Sequence, residues 1–237
     1  PPSVEPFEAL GRLVSTGRSG YCFHQNGSFE LVLRGLGFKV HRRHGHVWRL
    51  PEHREQTELN HLVLLVSDLP TAANPGGWWW PDVGLGDGIL EPLPLVAGPV
   101  SNLPFDFVLS DVTTERWSFT NDPRGSFSGV EISSRPVDQS VVSQAHAQLS
   151  SLPDGAFTKL LVVQRRDMHA AFALRGCVVT RTDGAGTTAV DLTQYDDWRD
   201  GLASLALAVA DLDEVHLRGL LERSLVAHQA WDVAGRP

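Results

Sequence analysis

A cysteine, a histidine and an aspartate stand in that order along this 237-residue chain: Cys22 in RSGYCFHQNG, His61 at the head of HLVLLV, and Asp82 in PDVGLG. Together the three side-chain types can supply a nucleophile, a general base and the group that orients the base. Downstream of Cys22, Phe29, Val32, Leu33 and Leu36 keep a helical period and Gly37 offers a stop. Cys22 is therefore predicted at or just inside a helix N-terminus, where exposed N–H groups and the helix dipole stabilise a thiolate. The plainer alternative is a small buried thiol in a core helix. His61 opens a strand of apolar neighbours, and the plainer reading of it is a satisfied strand-end histidine. Asp82 sits between Pro81 and Val83 in an aromatic and aliphatic stretch. It reads either as a turn residue or as a buried carboxylate that needs a partner, and a histidine N–H is one.

The elements that must carry these groups follow from periodicity. Phe7, Leu10, Leu13 and Val14 predict a short amphipathic helix ending before Gly17, and the nucleophile helix runs to about Leu36. From Phe38 the pattern turns to strands. HRRHGHVWRL, with His41, His44 and His46 around Gly45, reads as a solvated basic hairpin; no carboxylate or cysteine stands at ligand spacing to make it a metal site. LNHLVLLVSDL is a buried strand, followed by the turn-rich TAANPGG. The glycines of DVGLGDG match neither phosphate-loop nor dinucleotide fingerprints, and read instead as a tight backbone turn beside a ligand. Short strands continue over 105–132. From Phe157, TKLLVVQRR, AFALRGCVVTRT and GTTAVDLT predict a three-stranded meander with Cys177 inside a strand. Helices at about 198–210 and 214–229 close the chain, with Asp211 and Asp213 as cap residues between them.

Bulk properties narrow the function classes. A formal net charge of -8 argues against a general nucleic-acid or polyanion binder. With 42% hydrophobic and 20% charged residues the chain has the composition of a globular protein. Two cysteines build no disulfide framework, and a nucleophilic Cys22 must stay free, so a reducing cytoplasm is expected. The longest apolar run, near 202–210, falls far short of the ~20 residues that span a bilayer. The chain opens with Pro1-Pro2 and reaches Cys22 after barely two turns of predicted helix.

Taken together, RSGYCFHQNG, HLVLLV and DVGLG resemble the arylamine N-acetyltransferase family, with its RGGxCFE-like nucleophile segment, strand-opening histidine and DVGFG-like segment in the same order and at similar spacing. SLPDGAFTKLLVVQRR looks like the segment that begins the family's last domain. The resemblance implies an α+β, cysteine-protease-like architecture in three parts: a helical region over 1–38, an antiparallel β-barrel over 39–140, and a linker and α/β lid over 141–237. It implies several helices upstream of Cys22, so a truncated N-terminus with Phe7, Leu10 and Leu13 exposed is expected. It implies acetyl transfer from acetyl-coenzyme A, as co-substrate and without a metal, to an arylamine, arylhydrazine or arylhydroxylamine. Cys22 would be nucleophile, His61 base and Asp82 orienter. The partner would be this small molecule, not a nucleic acid or a membrane. Leu85 and Phe157 correspond to positions lining the acceptor pocket, and Gly84 and Gly86 fall near the coenzyme A entry. Two residues depart from the pattern. Ser19 replaces a glycine, and His24 replaces a glutamate, removing a possible ion pair with Arg18. A macrolactam-forming amide synthase, a cysteine hydrolase using the same triad, and an inactive truncated member serving as a binding domain are the alternatives.

Overall fold

Pro6 at the start and Gly17 in the left-handed region (φ 68°) bound the first helix, α1 (Pro6–Thr16), in a computed structural model that describes residues 1–153 and 155–235. Helix α2 (Cys22–Gly35) packs against α1 and lies along strands β1 (Lys39–Trp48) and β2 (His61–Ser67). On α1, Ala9 is buried and Leu10 half-buried, whereas Phe7, Leu13 and Val14 face solvent.

Every residue of β2 is buried, as its unbroken apolar run requires of a strand covered on both faces. It sits inside an antiparallel sheet completed by β3 (Trp79–Trp80), β4 (Leu93–Pro94), β5 (Gly98–Asn102), β6 (Phe105–Ser110), β7 (Trp117–Thr120) and β8 (Gly129–Ser133). The strand order is β4-β3-β2-β1-β8-β7-β6-β5, and the sheet curls into a nearly closed barrel. Alternation along β6 turns Phe105, Phe107 and Leu109 inward onto Trp80, Trp117 and Phe119.

HRRHGHVWRL is not a hairpin. It is a single strand, β1, running straight through Gly45. A Cβ at Gly45 would come within 2.8 Å of the His61 carbonyl oxygen, so this glycine permits close approach of β2 and makes no turn. Nor are the arginines solvated as a hairpin's would be: Arg42 Nε donates to Glu30 Oε2 at 2.7 Å, and Arg43 reaches the Thr114 carbonyl.

The stretch read as a linker holds a helix, α3 (Gln139–Leu149), capped by Asp138 Oδ1, which accepts from Val141 N at 3.0 Å. Its Val142 and Ala145 share a core with Val4, Cys22, Phe23 and Leu62, so α3 packs with α2. The second sheet has four antiparallel strands, not three: β9 (Val162–Arg166), β10 (Ala170–Arg175), β11 (Val178–Asp183) and β12 (Gly186–Asp191), hydrogen-bonded in sequence order. AFALRGCVVTRT folds back at Gly176 (φ 60°), which places Cys177 in the turn, still buried. Helices α4 (Tyr195–Ser204) and α5 (Glu214–Val233) cover this sheet, and Trp198 Nε1 donates to Gly176 O at 2.9 Å. Asp213 caps α5, but Asp211 does not act as a cap; it pairs with Arg18. Among the described residues no helix is long and apolar enough to cross a membrane.

Candidate active site

Cys22 is the first residue of α2 and 5% exposed, with extended Tyr21 before it. His24, one turn in, reaches back to the helix start: its Nδ1 accepts from Tyr21 N at 3.3 Å, and its Nε2 donates to Pro2 O at 3.2 Å. Burial, seconded by the Arg12 and His146 charges, pushes its pKa down to about 4 against the pull of the Pro2 carbonyl. His24 is thus a neutral imidazole doing the backward reach that glutamate performs in a capping box. Arg18, without a glutamate at position 24, forms a bidentate pair with Asp211 at 2.7 and 2.9 Å.

Asn60 and His61 hold the start of β2 beside the thiol. The Asn60 side chain clips Val47, accepting from its N–H at 2.7 Å and donating to its carbonyl at 2.9 Å, and the Cys22 Sγ lies 3.5 Å from Asn60 O. His61 Nε2 and Asp82 Oδ2 are 2.7 Å apart, both side chains almost wholly buried. Burial lowers the His61 pKa, but the charges of Asp82 and Cys22 and hydrogen bonds to both outweigh it and push it up to about 10. With Nε2 committed to Asp82, Nδ1 is the ring nitrogen that remains for Cys22. Asp82 and Cys22 thus both favour the charged form of the His61 ring.

Asp82 accepts three further hydrogen bonds, from Asn26 Nδ2 at 2.8 Å, Gly84 N at 2.9 Å and Trp80 Nε1 at 3.3 Å. Asn26 was missed by the sequence reading. It lies four residues beyond Cys22, on the same helix face, also donates to Leu62 O at 2.7 Å and accepts from Val83 N at 3.0 Å. A fully polar amide one turn past a candidate nucleophile, on a face otherwise turned to the core, was the available signal.

The remaining predicted residues are spread around this centre. A Cβ on Gly84 would fall 2.6 Å from Cys22 Cα, so the Asp82 loop lies directly on Cys22. Gly86 (φ 67°) faces Gln164 of β9. Leu85 is buried in the barrel core. Phe157 is 40% exposed and packs edge-on against Tyr21, ring centroids 4.5 Å apart. Tyr21 in turn hydrogen-bonds His146 of α3, and burial followed by the Cys22 charge raises its pKa. Among the described residues no group of three or more His, Cys, Asp or Glu could hold a metal ion.

A family model described as N-acetyltransferase matches residues 3–206. Over 136 residues the chain is 35% identical to an arylamine N-acetyltransferase of Mycolicibacterium smegmatis, covering 49% of this chain and 47% of that one. An Escherichia coli arylamine N-acetyltransferase is 40% identical over 94 residues, 39% of this chain and 31% of that relative. The chain thus spans about half or less of the length of these relatives. In fold it is similar to the arylamine N-acetyltransferase of M. tuberculosis, with TM-score 0.81 at 24% identity over 94% of this chain and 83% of that one. It is equally similar to that of Mycobacterium marinum in complex with CoA, with TM-score 0.81 at 24% identity over 94% and 82%.

Proposed function

The chain belongs to the arylamine N-acetyltransferase family, and from that premise we propose that it carries an acetyl group from acetyl-coenzyme A to an aromatic amine, hydrazine or hydroxylamine by way of an acetylated Cys22. The observation that carries the reading is the buried His61–Asp82 pair, Nε2 2.7 Å from Oδ2, set beside Cys22, whose charge acts on the His61 ring and whose sulfur lies 3.5 Å from the carbonyl of the preceding Asn60. A structural relative solved with CoA supports the choice of donor.

In the first half-reaction the Cys22 thiolate attacks the thioester carbonyl, and the positive end of α2 stabilises the oxyanion that develops. The tetrahedral adduct collapses with loss of the coenzyme A thiolate, which takes the proton from His61. In the second, the amine attacks the acetyl-cysteine, His61 accepts the amine proton, and the Cys22 thiolate leaves as the amide forms. Asp82 keeps the imidazole oriented throughout. Phe157 offers a flat apolar surface against which an aromatic acceptor can lie, and Leu85 contributes from the barrel core. Gly84 and Gly86 leave bare backbone along the approach of the donor.

Mass spectrometry after brief incubation with acetyl-coenzyme A tests this. The wild-type chain should gain one acetyl group, on Cys22, and lose it when an arylamine is added; the Cys22→Ser variant should gain none. Free acetate released without an acceptor would favour hydrolysis instead. An unmodified Cys22 would defeat the transfer reading.

A further inference from the structure

Between the barrel and the second sheet lies a cavity of about 200 Å³ on which Arg49, Arg124 and Arg175 converge, with Asp87 and Ser126 also in its wall. Cys22 is not part of it, and nothing in the acyl-transfer chemistry requires three arginines there.

The charges around this cavity do not balance. Arg124 is fully engaged, bonding Asp122 through Nε at 2.8 Å and Nη2 at 2.7 Å and donating to the carbonyls of Asp183 and Pro104. Both oxygens of Asp87, the one carboxylate in the wall, are taken by Ser126, from its N–H and its hydroxyl at 2.7 Å each. Arg49 and Arg175 are left. Among the described residues neither guanidinium has a hydrogen bond or an ion pair with a protein group. Arg175 is half-buried, and burial, followed by the charge of Arg49, lowers its pKa against the pull of Asp87. Two cations are held near each other, one of them desolvated, with their donors unused. Such an arrangement is costly by itself and favourable around an anion, because a guanidinium presents its N–H groups as a fork that matches a phosphate's oxygens.

We propose that this cavity is a binding site for a phosphate ester or diphosphate, held by Arg49 and Arg175. Its position bears on where that group comes from. Gly84 touches Cys22 and Asp87 lines the cavity, and three residues of chain span at most about 11 Å. A donor whose thioester sits at Cys22 therefore has the cavity within reach of its nucleotide end, an assignment that rests on the acyl-transfer reading. A free phosphate compound has the same chemistry, and the anion site itself does not depend on that reading.

Isothermal calorimetry on the wild-type chain and on the separate Arg49→Gln and Arg175→Gln variants, with pyrophosphate, coenzyme A and pantetheine as probes, decides the matter without any acetyl transfer. The wild type should bind pyrophosphate, and each variant should bind it at least about tenfold more weakly, the loss expected for a charge-assisted hydrogen bond. If the preference for coenzyme A over pantetheine shrinks by a similar factor in the variants, the donor's phosphates occupy the site. If pyrophosphate binding weakens and that preference stays, the occupant is a free phosphate compound. Arg49 is solvent-exposed, so its variant decides the case even if the Arg175 variant fails to fold. Pyrophosphate binding that is absent in the wild type, or equal in wild type and Arg49→Gln, overturns the proposal.

Discussion

Four donors converge on the Asp82 carboxylate, from His61, Asn26, Gly84 and Trp80, and only the first of them would have a proton to exchange in the proposed transfer. The other three prevent its rotation, so His61 keeps one orientation. Asp82→Asn turns one acceptor into a donor at a place already crowded with donors, and loses the charge that holds the proton on His61. Turnover should fall by about 10⁴-fold, the scale seen when a buried orienting aspartate is neutralised. A stability signature should accompany it. His61 is raised from 6.5 to about 10 in the fold, so its contribution is complete below pH 6.5 and is lost as pH rises through 10. Thermal melts between pH 6 and 10 should show the wild type losing stability over that window and Asp82→Asn losing much less. Parallel curves would mean that the His61–Asp82 pair is not the source.

At the scale of the element, the start of α2 is capped by His24. In the sequence His24 reads as the loss of a carboxylate that could pair with Arg18; buried against Tyr21 and Pro2, it is a neutral cap. His24→Ala should cost roughly 0.5–2 kcal/mol, as lost caps do, whereas His24→Gln can still reach the Tyr21 N–H and should retain most of the stability. The two states also differ in acid. With a folded pKa of about 4 against 6.5 unfolded, the His24 contribution is present above pH 6.5 and fades as pH falls towards 4, and the Gln variant should lack that decline. Urea titrations at pH 4.5 and 7 would show it; an equal loss in both proteins would remove His24 as the cause. The helix itself was legible, because Phe29, Leu33 and Gly37 set its period and stop. What it caps with was not, since a histidine at that position signals charge as readily as a hydrogen-bond acceptor. Helix α3 escaped for a related reason: QSVVSQAHAQL mixes small and polar residues, and its buried side is visible only once the α2 core is there to receive Val142 and Ala145. Gly45 was misread because a glycine that ends a strand and one that admits a neighbouring backbone look alike in one dimension.

Across the whole molecule, strand content was readable from alternation, but the pairing of β1 with β8, about ninety residues apart, was not, because register between distant strands is set by the core they share. The junction between barrel and second sheet is another non-local feature, and Arg166 of β9 makes much of it. Its guanidinium donates to Asp87 O at 3.3 Å and Leu103 O at 3.1 Å, and also to Asn102 O. It lies over the rings of Phe105 and Phe107, at 4.9 and 5.6 Å. Burial holds its pKa down to about 10, with Asp87 pulling the other way. The same strand presents Gln164 to Gly86, so Arg166 braces the loop that carries Asp82 as well as the sheet that carries Arg175. Arg166→Ala would leave these carbonyls without their donor and remove the cation from the aromatic faces, a loss of roughly 2–4 kcal/mol. The neighbouring Arg165 is exposed and only 4.0 Å from Asp167 at its nearest, so Arg165→Ala should change stability by no more than ~0.5 kcal/mol. Urea unfolding followed by tryptophan fluorescence measures both. Because the Asp82 loop is braced from the same strand, the Arg166 variant should also lose turnover at temperatures where it is still folded, and the Arg165 variant should keep it. Equal effects from the two substitutions would show that the second sheet is held to the barrel by other contacts.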